Sequence, residues 1–164
     1  MKQDSIKRSA IFDPTGTWRY ELRRSWSDLM PAKGLLCLIG LNPSVADHER
    51  DDHTIRVEMG FTKKFGMAGF IKVNLFGLVS TDPMGLKIAP DPVGPENDKY
   101  ILNAVQLSDL VVAAWGADGI LFNRAGVVRR MLGPVKLMCL GTTKSGAPRH
   151  PSRLSYDTPL VEFK

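Results

Sequence analysis

Few side chains in this sequence are suited to chemistry, and they are well separated along it. Two asparagines, Asn42 and Asn74, each stand where the chain leaves an apolar segment. An asparagine amide offers one acceptor and two donors, the pattern needed to read an amide-like edge such as that of a pyrimidine. Either one alone is as readily a turn former; two at equivalent positions point towards recognition. The histidines are His48, His53 and His150. His48 and His53 lie five apart beside Asp47, Asp51 and Asp52, a spacing that fits no familiar ligand pattern. No metal and no cofactor is therefore expected. The carboxylates suit the start of a following helix, where free N–H groups and the dipole favour them. Two cysteines, Cys37 and Cys139, both inside apolar runs, exclude a disulfide scaffold by count. They fit a reducing, cytoplasmic setting.

The elements that must position these groups are legible as periodicities. Residues 34–40, 69–76, 110–115 and 135–140 are short apolar runs bounded by glycine or loop residues, the habit of parallel strands buried on both faces. Between them, 55–65, 96–107 and 121–132 have helical spacing. Asp51-Asp52-His53-Thr54 offers a cap to the first of these, and Glu96-Asn97-Asp98 opens the second. Ser80-Thr81-Asp82-Pro83 can cap a short helical turn. Residues 9–26, around the turn Asp13-Pro14-Thr15-Gly16, predict a β-hairpin on the edge of the domain. Trp18, Tyr20 and Trp26 alternate there with Arg19, Arg23 and Arg24. Such interleaving can bind single strands, but a half-buried hairpin produces it as well and is the preferred reading. Residues 1–8 read as a loose arm and 142–164 as a loop-rich tail. The expectation is one three-layer α/β/α domain built on a four-stranded, mostly parallel sheet.

In such sheets ligands bind outside the carboxyl ends of the strands. The four exits are Asn42-Pro43-Ser44, Asn74, Trp115-Gly116 and Gly141-Thr142. The chain of 164 residues carries a net charge of +5. No acidic residue occurs between Gly119 and Tyr156, whereas Arg124, Arg129, Arg130, Lys136, Lys144, Arg149 and Arg153 do. That asymmetry reads either as a solvated surface or as a phosphate-attracting one. No apolar run reaches the roughly 18 residues of a membrane span, and no secretory signal is expected.

Several segments in this order resemble the bacterial family known as domain of unknown function 1643: Leu41-Asn42-Pro43-Ser44, Asp51-Asp52-His53-Thr54-Ile55-Arg56, Val73-Asn74-Leu75-Phe76, Gly94-Pro95-Glu96-Asn97-Asp98, Trp115-Gly116 and His150-Pro151-Ser152. A more distant resemblance carries more chemistry. Gly40-Leu41-Asn42-Pro43 is similar to the first motif of the uracil-DNA glycosylase superfamily, in its asparagine-bearing form. Val73-Asn74 resembles the strand end that reads the uracil edge. Val112-Ala113-Ala114-Trp115-Gly116 and His150-Pro151-Ser152-Arg153-Leu154-Ser155 are similar to two further motifs.

This resemblance implies a uracil-DNA glycosylase-like fold and cleavage of the N-glycosidic bond of a base flipped out of nucleic acid, most simply DNA. Asn42 would orient the attacking water and Asn74 would bind the base edge. His150 would meet negative charge developing on the base. Phe76 or Trp115 would stack on the ring. Ser44, Ser152, Lys144, Arg149 and Arg153 would contact the backbone, and Leu154 would be the wedge that replaces the flipped base. The strongest glycosylases of that superfamily have an Asp where this chain has Asn42. Asparagine is no general base, so Asp47, Asp51 and Asp52 become candidate helpers, with Arg56 beside them to pair with Asp52 or reach a phosphate. The iron–sulfur subfamilies need four cysteines and are excluded. The alternatives are a non-catalytic nucleotide or nucleic-acid binding module on the same fold, or an enzyme acting on a free nucleoside or nucleotide.

Overall fold

The structure, a computed structural model, describes residues 5–26 and 34–164. Strands run over Lys7–Phe12 (β1), Arg19–Ser25 (β2), Leu35–Gly40 (β3), Gly69–Asn74 (β4), Leu110–Ala113 (β5), Met138–Cys139 (β6) and Val161–Glu162 (β7). Helices run over His53–Lys64 (α1), Met84–Ile88 (α2), Asn97–Leu107 (α3) and Arg124–Leu132 (α4). The strands form one seven-stranded mixed sheet in the order β1-β2-β4-β3-β5-β6-β7. β3 pairs in parallel with β4 and β5, and β5 with β6.

Successive residues of the inner strands point to opposite faces, and both faces are apolar, so each must be covered. Leu36, Leu38, Phe70 and Val112 pack with Ile55 and Met59 of α1 on one face. Cys37, Ile39, Ile71, Val73, Val111 and Ala113 pack with Ile101 and Ala104 of α3 and Val128 and Leu132 of α4 on the other. Asp52 caps α1 as its sequence suggests, accepting the Ile55 N–H at 2.9 Å. At the other end of α1, Gly66 takes a left-handed φ of +72°.

The sheet is wider than the four strands expected. The hairpin does not merely flank the domain: β2 zips antiparallel onto β4 from Leu22↔Lys72 to Ser25↔Gly69. It thereby satisfies N–H and C=O groups that β4 would otherwise leave open. β7, in the tail read as loop, closes the far edge against β6. Lys7 and Arg8, assigned to the loose arm, belong to β1, and residues 1–4 of that arm lie outside the described residues. The helix expected from 121 starts at Arg124, because Phe122 and Asn123 hold left-handed φ angles of 52° and 53°. No described helix is long and apolar enough to cross a membrane.

The strand order fixes where a crevice opens. From β3 the chain crosses by α1 to β4, then returns by α3, on the opposite face, to β5. Loops leaving β3 and β5 therefore diverge, and the gap between them lies at their carboxyl ends.

Candidate functional site

A cavity of about 380 Å3 occupies that gap, within the range that holds small ligands. It is lined from the β3 exit by Leu41, Asn42 and Ser44, from the start of α1 by Asp52, Thr54 and Ile55, and from β4 by Lys72 and Asn74. Ser80, Thr81 and Pro83, then Trp115 to Asp118, complete the wall together with Arg19 and His150. Asn42, Asn74 and His150, separated by as much as 108 residues of chain, thus share one cavity.

Asn74 is 1% exposed, and its Oδ1 is buried with no hydrogen-bond partner. No partner for its amide nitrogen occurs among the described residues either. The backbone around it is held rigidly. Asn97 Nδ2 donates to the carbonyls of Asn74 (2.9 Å) and Leu75 (3.1 Å), and Arg124 Nε donates to Leu75 O at 2.7 Å. Arg124 also pairs with Asp98. The Glu96-Asn97-Asp98 cluster, expected to cap a helix, makes no side-chain cap there. Asn97 and Asp98 instead serve to brace the exit of β4.

Asn42 is engaged differently. Its Nδ2 donates to Ser80 O at 2.8 Å and Pro43 O at 3.0 Å. The amide staples the loop after β3 to the loop after β4, and its oxygen has no partner among the described residues. Asp52 lines the cavity with one carboxylate oxygen committed to the Ile55 N–H. Asp51 lies outside the lining and is neutralised structurally. Its carboxylate accepts from Arg24 Nε at 2.6 Å and Arg8 at 2.9 Å, and these bonds outweigh burial and keep its pKa low. Arg56 is exposed outside the lining and donates to Asp51 O at 2.6 Å.

His150 sits at the exposed rim. Its Nδ1 lies 2.8 Å from Ser152 Oγ and accepts the Ser152 N–H at 3.3 Å. That pattern assigns the proton to Nε2. Loss of water around the ring and then the charge of Lys72 pull its pKa down to about 4, against the opposing pull of Asp52. Neutral imidazole is the form present near pH 7. Ser152 O in turn lies 3.2 Å from His53 Nε2, which docks this loop on the start of α1.

The remaining residues singled out by sequence divide clearly. Trp115, 3% exposed, forms part of the wall and meets Phe163 edge-on at 5.7 Å. Phe76 is fully buried in the core and does not line the cavity, so of the two aromatic candidates only Trp115 reaches it. Ser44 lines it. Ser152, Lys144, Arg149, Arg153 and Leu154 lie outside the lining, on the loop that carries His150. Within the basic stretch, Arg124 is internal and Arg129 lies over the Phe163 ring at 4.6 Å. Among the described residues no group of three or more acids, histidines and cysteines could hold a metal ion.

Two buried cations of the lining, Arg19 and Lys72, 3% and 5% exposed, were not expected there from sequence. Lys72 pairs with buried Glu58. Burial pushes the Glu58 carboxyl up and the Lys72 ammonium pulls it back. The signal was present, since a lysine in the middle of Gly69–Asn74 contradicts a strand buried on both faces. Arg19 gave no such signal. The pairs Ile11↔Glu21 and Phe12↔Arg19 skip Tyr20, a bulge that breaks the alternation of β2. Tyr20 stacks on Tyr100 of α3 at 5.1 Å, whereas Arg19 turns into the cavity and donates to Ala46 O at 2.6 Å. Its Nε is left without a partner, and burial lowers its pKa to about 10.

No curated protein and no solved structure matches this sequence. The family model described as protein of unknown function DUF1643 matches residues 19–152. That span contains β2 to β6 and every lining residue of the cavity, and the chain belongs to the DUF1643 family.

Proposed function

We propose that this protein is a base-recognising hydrolase that cleaves an N-glycosidic bond in nucleic acid, with its core arranged as in the uracil-DNA glycosylases. Four parallel strands, helices on both faces and a cavity at the strand exits support that arrangement. One observation carries the reading of the site: the amide of Asn74, on a braced strand end, has its oxygen buried in the cavity wall without a partner. A buried orphan acceptor is destabilising by roughly 1–3 kcal/mol, and a ligand N–H would relieve it.

The base enters flipped, because its glycosidic bond is shielded within a duplex. It lies along Trp115 with its amide-like edge on Asn74. The water oxygen forms a bond to the sugar C1′ while the C1′–N bond breaks and its electron pair moves onto the base. Asn42 Oδ1 orients that water. The free oxygen of Asp52 accepts its proton, the role that Asn42 cannot take. His150 Nε2–H donates to the base oxygen where charge develops. Lys144, Arg149 and Arg153 hold the backbone electrostatically, Ser44 meets a phosphate at the rim, and Leu154 fills the vacated stack.

The test is release of free base from oligonucleotides carrying uracil, hypoxanthine, alkylated or oxidised bases and mismatches. The reading expects release from at least one substrate and its loss in Asn74→Ala. A folded protein that releases nothing across the panel refutes the enzymatic reading. The binding of both Asn42 amide hydrogens to loop carbonyls favours a second reading, a module that holds the base without cleaving it. Salt-dependent binding abolished by Asn74→Ala, with no base release, would identify that case.

A further inference from the structure

The wall of the cavity has a feature that an uncharged base does not require. Arg19 and Lys72, both nine-tenths or more buried, line it. Arg19 Nε has no hydrogen-bond partner, and Lys72 Nζ, with three donors, has Glu58 as its only partner among the described residues. Each nearby carboxylate is engaged through one oxygen, Glu58 Oε1 with Lys72 and Asp52 Oδ1 with the α1 cap, and Glu58 Oε2 is buried without a partner. Buried cations are rare unless paired, and donors left over in a cavity mark the position of an acceptor. Gly40 sets the neighbourhood of these groups. A Cβ there would lie 2.7 Å from both Lys72 Nζ and Asn74 Oδ1, so the missing side chain lets the ammonium and the amide oxygen pack together against β3.

We infer that the ligand carries a compact anionic group, a carboxylate or a phosphate, which seats against Lys72 and Arg19 while Asn74 reads the adjacent ring edge. The anion has two sources: a carboxyl substituent on the base, or the phosphate of a free nucleotide entering first. The inference deepens the reading proposed above for the same cavity. Its readout is binding rather than base release, so each can fail without the other.

The experiment is calorimetric titration of the full chain at low ionic strength with matched probes: uracil against 5-carboxyuracil and orotate, and uridine against uridine 5′-monophosphate. At least one anionic probe should bind about tenfold or more tighter than its neutral parent, the size of one charge-assisted hydrogen bond. Preference within the first set assigns the base carboxyl, and within the second the phosphate. Occupancy should raise the pKa of His150, read from its ring resonances, because the anion offsets the charge of Lys72. Gly40→Ala should remove the preference by displacing Lys72 Nζ and Asn74 Oδ1 without deleting any charged group, and Lys72→Met combined with Glu58→Gln should do the same without leaving Glu58 as an unpaired buried carboxylate. The inference is overturned by equal affinity for charged and neutral probes, by no binding of any probe at millimolar concentration, or by a preference that leaves His150 unmoved.

Discussion

Replacing Asn74 by alanine separates a binding residue from a structural one, because one role predicts a loss of affinity and the other a loss of stability. The side chain is 1% exposed, and Oδ1 has no partner. Removing it abolishes an orphan acceptor worth roughly 1–3 kcal/mol of destabilisation. The same substitution gives up packing around a small side chain, on the order of 1–2 kcal/mol by the cavity rule. The two nearly cancel, so stability should change by no more than about 1 kcal/mol, a shift in Tm of about 2–4 °C for a chain of this size. The hydrogen bonds from Asn97 to the backbone at 74 and 75 do not involve the Asn74 side chain and survive. Binding responds differently. Two hydrogen bonds to the base edge are lost and that edge is left unpaired, about 3 kcal/mol together, which corresponds to roughly 100-fold in affinity. Thermal melting and titration of the same preparation measure both. A melting point lowered by more than about 8 °C with affinity unchanged would show that Asn74 is a core residue and would refute the argument.

Asp52→Asn retains a capping oxygen for the Ile55 N–H, so stability should change by less than about 1 kcal/mol, while base release should fall by about 100-fold or more. Arg24 is fully buried and holds Asp51 Oδ1 at 2.6 Å, Asp47 O at 2.5 Å and Arg23 O at 2.8 Å. Arg24→Met leaves that carboxylate poorly paired and should destabilise the chain by roughly 3–5 kcal/mol in urea or thermal unfolding. The ring resonances of His150 should remain those of neutral imidazole from pH 8 to pH 5 and titrate only near pH 4, and Lys72→Met should move that titration upward. With its folded pKa below the ordinary 6.5, His150 binds more protons when unfolded. Its contribution to stability is therefore intact above about pH 6.5 and fades as the pH falls towards 4, which acid melts of wild type and His150→Gln should reveal.

Local pattern determined a good deal of this molecule. Continuous apolar runs bounded by glycine or loop residues mark β3, β4 and β5, because a strand covered on both faces leaves no place for solvent-facing residues. Asp52 before Ile55 marks the start of α1, since an N-cap is a bond between near neighbours in sequence. Asn42 and Asn74 were legible as candidates because strand exits are where such sheets bind, and His150 was legible only through the resemblance carried by His150-Pro151-Ser152. What local pattern does not contain is pairing between distant segments. The attachment of β2 to β4 and of β7 to β6 depends on which edge is left open once the core has assembled. That attachment, with the bulge at Tyr20, is what delivers Arg19 to the cavity. The division between Trp115 and Phe76 was also tertiary: both follow buried strands and both rings are buried in one cluster, and only the folded arrangement decides that Trp115 borders the cavity. Asn74 and Asn42 show the same limit. They are one residue type at equivalent exits, yet Asn42 ties two loops together and Asn74 is left with its oxygen unpaired. A hydrogen bond is made with whatever the folded chain brings within about 3 Å, and no spacing along the sequence specifies that neighbour.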